Sequence, residues 1–224
     1  MPRLGLWPPI ALQVTVALLG AAALPALAWD AAVMQSAARK LGPAAVAALP
    51  PLQALLGRME AADDRERLQA VNRFFNQRIA FATDQSVWDQ EDYWASPLEA
   101  LAKGQGDCED YAIAKYASLL AVGVAPARLR LVYVRARMPA GTVPASQAHM
   151  VLAYHANPGD EPLILDNLVP EVLPASARPD LTPLFSFSAD GLWHGTGSVS
   201  AGDPLARVTR WREVWNKTRA EGFL

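Results

Sequence analysis

Apolar residues recur at two different periods along this chain, and the point where the period changes divides it into a helical part and a stranded part. Over residues 59–79, Leu68, Val71, Phe74, Phe75 and Ile79 fall three to four positions apart, which predicts an amphipathic helix. Upstream, residues 30–57 are rich in alanine and leucine and are punctuated by Gly42-Pro43 and Pro50-Pro51, which predicts two short helices. The stretch "FATDQSVWDQEDYWA" has no period and reads as a loop. "SPLEALAKG" follows with a Ser96 cap, Pro97 at the first helical position, Glu99 at the third and Gly104 at the stop, so a short capped helix is expected there. The next segment, "DCEDYAIAKYASLLAVG", has acids in its first turn, apolar residues behind them and Gly123 as its terminator.

From Arg128 onward the period becomes two. "RLRLVYVRAR" alternates strictly and predicts a half-buried strand. "AHMVLAYH" (148–155) and "PLILDNL" (162–168) are two further strands, separated by the turn residues of "ANPGDE". Folding this pair about Asn157-Pro158 sets His149 opposite Asp166, Val151 opposite Ile164 and Ala153 opposite Pro162. Directly opposed residues have Cβ atoms about 4.5 to 5.5 Å apart, within reach of an imidazole to carboxylate bond. A slip of one residue would send the two side chains to opposite faces. The C-terminal "DPLARVTRWREVWNKTRAEG" has an Asp203 cap, Pro204 in the first turn and Trp211 and Trp215 one turn apart, and reads as one core-packed helix.

Composition alters this picture mainly at the N-terminus. Arg3, the apolar run from Ile10 to Leu24 and the small-x-small Ala26-Leu27-Ala28 predict a secretory signal over residues 1–28, so that the mature chain is one domain, 29–224, beginning at Trp29. An uncleaved anchor is the weaker alternative, because Pro8, Pro9 and Pro25 bracket a run shorter than the roughly 20 residues of a spanning helix. No later segment is long and apolar enough to span a bilayer. Of 20 basic residues the leader carries only Arg3, leaving 19 against 22 acidic residues, a mature net charge of minus 3. A nucleic-acid partner, which requires a basic stripe, is therefore not expected. The chain's single cysteine cannot form an internal disulfide in an oxidising compartment.

That cysteine, Cys108, stands at a helix start, where exposed N–H groups and the helix dipole favour a thiolate. Its neighbours Asp107, Glu109 and Asp110 do the reverse. Either Cys108 is a packed small residue among ordinary first-turn acids, or something neutralises the acids. A cysteine at a helix start with a His and an Asp on adjacent strands is the arrangement of a cysteine hydrolase. In it Cys108 would be the nucleophile, His149 the base and later the acid, and Asp166 the group that fixes the imidazole tautomer. The backbone N–H of Cys108, with that of Gln105 or a neighbour, would face the oxyanion. Each residue also has a plainer reading: His149 as a satisfied core histidine, Asp166 as a strand-end turn former.

"DYWASPLEALAKGQGDCEDYAIAKY", "HMVLAYH" and "LILDNL" resemble the bacterial transglutaminase-like cysteine proteinases, in particular their periplasmic, LapG-type branch. The resemblance implies an α+β fold of the papain-like, transglutaminase-core type, with N-terminal helices, a nucleophile helix and a small antiparallel sheet. It implies the catalytic set Cys108, His149 and Asp166, and calcium held by Asp107 and Glu109; Asp110 is available as a third ligand. Calcium would also answer the charge conflict around Cys108, since a hard dication takes carboxylate oxygens. The substrate implied is the N-terminal region of a large surface adhesin, cut at an alanine pair to end biofilm attachment. The partner implied is an inner-membrane cyclic-di-GMP receptor, LapD, whose periplasmic domain sequesters the protease.

Two alternatives stay open on the sequence, a transglutaminase-type acyltransferase with the same triad and a non-catalytic calcium-dependent periplasmic binding module. His155 is six residues from His149, roughly 20 Å at strand rise, and is expected at a strand end. His194, between glycines, reads as hairpin turn chemistry. Trp88 and Trp94 could equally wall a groove or cap the core.

Overall fold

The computed structural model describes residues 29–139, 141, 145–195, 197 and 199–223. The expected leader, residues 1–28, lies outside the described residues. Asp30 opens α1 (Ala31–Leu41), its carboxylate accepting from the N–H groups of Ala32 and Val33. Helix α2 (Pro43–Met59) begins at Pro43 but then runs straight through Pro50 and Pro51, where a break was expected. Each interior proline costs about 3 kcal/mol. Leu49, Leu52, Leu55 and Leu56 are all buried along the same helix, and a fully buried leucine contributes about 1.5 to 3 kcal/mol, so packing outweighs propensity.

Helix α3 (Asp64–Arg78) is capped by Asp63 and buries Leu68, Val71 and Phe75, as its spacing predicts. A two-residue strand β1 (Ala80–Phe81) leads into the aperiodic loop, which contains one short helix, α4 (Asp84–Trp88). Helix α5 (Pro97–Lys103) has the expected capping box between Ser96 and Glu99 and ends at Gly104 with φ 62°. Strand β2 (Gln105–Gly106) pairs in parallel with β1 and leads directly into α6 (Cys108–Ala121). From Asp110 to Ala121 every residue of α6 is buried, so this is the central helix of the molecule.

The remaining strands form one antiparallel sheet in the order β6-β5-β4-β3-β7-β8-β9. They are β3 (Leu129–Arg137), β4 (Ser146–Tyr154), β5 (Leu163–Leu165), β6 (Leu173–Pro174), β7 (Leu181–Phe187), β8 (Leu192–His194) and β9 (Ser200–Gly202). The α+β class expected from the sequence is present, with a sheet larger than the one expected. Helix α6 packs on β3 and β4, where Leu131, Met150 and Leu152 join the main core. Alternate positions Val132, Val134, Val151, Ala153 and Ile164 make a second, smaller cluster on the other face.

The β4–β5 hairpin is real, but its register differs from the expected one by two residues, with Leu152 opposite Leu165, Ala153 opposite Ile164 and Tyr154 opposite Leu163. The turn explains the shift. Asp160 N–H bonds to Asn157 O, so Pro158 and Gly159 are the corners, and Gly159 supplies the positive φ of 89° that the second corner needs. A shift of two keeps every side chain on its expected face. The C-terminal segment is two helices, α7 (Pro204–Arg207) and α8 (Thr209–Ala220), broken at Val208 with φ −110° and ψ 87°, where one helix was expected. Trp211 and Trp215 are buried and stack 5.2 Å apart, as a core-packed helix requires. Among the described residues no helix is long and apolar enough to cross a membrane.

Candidate active site

Helix α6 begins at Cys108 because Asp107 has an extended backbone, yet the Asp107 side chain makes none of the capping hydrogen bonds usual at that position. Its carboxylate is turned elsewhere. The Cys108 thiol donates to Glu109 Oε2 at 2.9 Å. Burial, followed by the Glu109 carboxylate and Asp107, pushes the thiol well above its ordinary range; the Met150 backbone N–H aimed at the sulfur pulls the other way. Strand β5 stops pairing at Leu152, and it is beyond that point on β4, at Met150, that the sulfur meets the strand. No hydrogen bond joins Cys108 to His149 among the described residues, but the sulfur's partner on β4 is the residue next to His149.

His149 and Asp166 are both buried, at 2% and 1% exposed. His149 Nε2 lies 2.7 Å from Asp166 Oδ1. The pairing expected from the sequence is therefore present. With the register shifted by two, Asp166 is the diagonal neighbour of His149, and it sits one residue past the end of β5. Burial would raise the Asp166 carboxyl, but the hydrogen bond and charge of His149, the Leu168 N–H and Arg178 together bring it down to about 2, so it is ionised. An ionised carboxylate on Nε2 makes that the nitrogen that carries hydrogen, so Nδ1 is the ring nitrogen available to act as a base.

The acids beside the cysteine belong to a tighter group than the sequence suggests. Oxygens of Asp84, Asp107 and Asp110 all lie within 4.8 Å of one another. Asp84 Oδ2 accepts from Tyr93 N–H at 2.6 Å and Asp110 Oδ1 from Ala95 N–H at 2.7 Å. Among the described residues, one buried oxygen on each, Asp84 Oδ1, Asp107 Oδ1 and Asp110 Oδ2, has no hydrogen-bond partner. Burial, then mutual repulsion among these acids and Glu109, pushes Asp107 up to about 10; burial pushes Asp110 up to about 8 and raises Asp84 as well. Three clustered carboxylates, each with one buried oxygen unpartnered among the described residues, fit a hard divalent cation.

Of the acids named from the sequence, Asp107 and Asp110 enter this group, and Glu109 stands beside it with its carboxylate on the thiol. Asp84 was missed. The signal for it is topological: the parallel pairing of Ala80 with Gln105 and Phe81 with Gly106, continued by the Ala82 N–H to Gly106 O bond, carries the chain just beyond β1 to the start of α6. His155 lies at a distance from this site, bonded to Asp160 O, and His194 is the exposed end of β8. Trp94 stacks on Phe187 with ring centres 6.0 Å apart and Trp88 meets Tyr93 at a tilt of 32° with ring centres 4.3 Å apart, so both join the core edge.

Residues 55–179 match the family described as bacterial transglutaminase-like cysteine proteinase BTLCP. EGTA-treated LapG of Legionella pneumophila has a similar structure, with a TM-score of 0.73 at 36% sequence identity, over 84% of this chain and 97% of that one. A second LapG structure from Legionella pneumophila gives 0.70 at 35%, covering 84% and 97%, and calcium-bound LapG from Legionella pneumophila gives 0.68 at 36%, covering 84% and 98%. No curated protein matches. With its α+β architecture, a family match over residues 55–179 and 36% identity across 84% of its length to a solved LapG, the chain belongs to the bacterial transglutaminase-like cysteine proteinases.

Proposed function

We propose that the chain is a periplasmic, calcium-dependent endopeptidase that cuts the N-terminal region of a large surface adhesin at an alanine pair, ending biofilm attachment. A cyclic-di-GMP receptor of the LapD kind is its regulator. The observation that carries this reading is the buried His149–Asp166 pair at 2.7 Å, placed next to a cysteine at the start of the central helix. The similarity to LapG supports the substrate and partner classes, and the leader-like residues 1–28 support export.

In this reading His149 Nδ1 takes the Cys108 thiol proton and the sulfur attacks the scissile carbonyl carbon. The carbon–nitrogen bond then breaks, the imidazolium returns its proton to the departing amine, and a thioester remains on Cys108. Water, deprotonated by His149, attacks the thioester carbon, and the thiolate leaves as the acid product forms. Asp166 holds the ring and stabilises the imidazolium throughout. Asp84, Asp107 and Asp110 would hold calcium, with Glu109 beside them; the cation would offset the negative potential that keeps the thiol protonated.

Purified mature protein incubated with an adhesin N-terminal fragment should yield two pieces. Cys108→Ala and His149→Ala should each yield none while keeping their circular dichroism, and chelation should suppress cleavage until calcium, but not magnesium, is returned. Cleavage by folded Cys108→Ala would end the proposal.

A further inference from the structure

Asp166 lies outside the sheet that carries its partner. Strand β5 ends at Leu165, so no ladder hydrogen bond fixes Asp166, although its geometry decides how the His149 ring is held. Two short contacts hold it locally: its Oδ1 accepts from Leu168 N–H at 3.1 Å and its backbone carbonyl accepts from Asn76 Nδ2 at 2.8 Å. The remaining carboxylate oxygen, Oδ2, is taken by Arg178 Nη2 at 2.7 Å.

Arg178 is itself 4% exposed and is fixed by a second acid. Its Nε donates to Asp180 Oδ1 at 3.0 Å and Nη2 to Asp180 Oδ2 at 2.8 Å, a two-pronged grip that leaves the other Nη2 hydrogen for Asp166. Asp180 is anchored in turn, since its backbone carbonyl accepts the N–H of Arg137 at the end of β3, where Arg137 pairs with Ser146 of β4. The connections close a ring: β3 to Asp180, Asp180 to Arg178, Arg178 to Asp166, Asp166 to His149, and His149 back to β3 through β4. Charge is balanced around it. Arg178 alone would cancel the Asp166 carboxylate and weaken its hold on an imidazolium; the second carboxylate, Asp180, restores one net negative charge.

We propose that Arg178 is a positioning residue for the proteolytic reaction, a guanidinium that clamps Asp166 in the orientation His149 requires, with Asp180 as the acid that fixes the clamp. The inference rests on the proposed roles of His149 and Asp166. Arg178 touches no reacting atom, so its removal acts on the chemical step and leaves substrate binding alone. A lysine restores the charge without the fork, since it has one nitrogen where Arg178 uses two.

The test compares kcat and KM for peptide cleavage in wild type, Cys108→Ala, Arg178→Met, Arg178→Lys, Asp180→Asn, Asp166→Asn and the double variant Asp166→Asn with Arg178→Met. Arg178→Met should lower kcat by about 10- to 100-fold with KM within about twofold of wild type, and Arg178→Lys should recover part of the loss. Asp180→Asn leaves the Arg178–Asp166 contact in place and touches a partly exposed residue, so it should fold and show a smaller fall in kcat. In the Asp166→Asn background, Arg178→Met should cost no further kcat, because the group it acts through is already disabled. Equal falls in the presence and absence of the Asp166 carboxylate, or wild-type kcat in folded Arg178→Met or Asp180→Asn, would overturn the clamp. Those results leave the proteolytic reading standing as long as Cys108→Ala is inactive; an active Cys108→Ala removes that reading instead.

Discussion

Gly106 shows how closely single residues are fitted around the acids. A Cβ built there would stand 2.5 Å from Asp110 Oδ2 and 3.0 Å from Asp110 Cβ, so the carboxylate that faces Asp84 and Asp107 occupies the space a side chain would need. Gly106→Ala should push Asp110 off its present line and weaken the Ala95 N–H to Asp110 bond. Forced overpacking of this kind costs about 1 to 3 kcal/mol, and charged to the calcium complex that is a loss of roughly 5- to 150-fold in affinity. Calorimetric titration of calcium into wild type and Gly106→Ala measures it, and equal affinities would refute the fit. Cys108, His149, Asp166, Asp107 and Asp110 were all legible as residues, because a cysteine among acids and a His and Asp on candidate strands are visible in one dimension. Asp84 was not, since its neighbours are brought to it by a parallel pair of only two residues per strand, too short to leave a period.

At the scale of elements, the pattern located α3, α5, α6, β3 and β4 closely and failed where tertiary packing or turn chemistry decides. Pro50 and Pro51 promised a break that the buried leucines of α2 overrode. Pro158-Gly159 moved the hairpin register by two residues, which spared the His149–Asp166 pairing because the side-chain period of a strand is also two. Helix α6 holds a further surprise in Lys115, 1% exposed, with no hydrogen-bond partner for Nζ among the described residues and the ring of Tyr111 5.5 Å away. Burial brings its ammonium down to about 7 from the ordinary 10.5, against the opposing pull of Asp166. Between those values the unfolded chain binds a proton that the folded one lacks, so the folded wild type gains stability as pH rises through that window. Lys115→Met does not titrate. It should be more stable than wild type, with a lead that is largest at pH 7 and below and narrows by about 1.4 kcal/mol per unit as pH approaches 10. Urea unfolding of both proteins at several pH values checks this, and a lead that does not vary with pH would refute it.

On the scale of the whole molecule, the strands beyond β5 were the part the sequence concealed. Strand β7 carries Pro183 at an irregularity opposite Val134, and β8 and β9 are three residues each, so no alternation survives to be read. These strands matter to the site through Phe187, which stacks on Trp94, next to the Ala95 whose N–H holds Asp110, and also meets Trp211 of α8. The first and last described helices close the same unit: Asp30 N–H, before α1, bonds to Gly222 O, after α8, and Ser96, the cap of α5, donates to Glu221 next to it. The three acids thus tie together α4, the loop before α5 and the start of α6, segments that separate when the chain unfolds. A cation that binds this arrangement and not the unfolded chain must stabilise the whole molecule. At a calcium concentration one hundred times the dissociation constant the gain is about 2.7 kcal/mol, which for a domain of this size raises Tm by about 5 to 10 °C. Asp84→Asn removes one of the three carboxylate ligands, leaves Cys108, His149 and Asp166 unaltered, and should abolish most of that rise while melting close to chelated wild type or above it, since a carboxyl whose ionisation burial opposes is replaced by a neutral amide. Thermal melts of both proteins in calcium and in EGTA decide the matter: an equal rise in Asp84→Asn would exclude Asp84 from the metal site, and no rise in wild type would show that the three carboxylates do not take calcium.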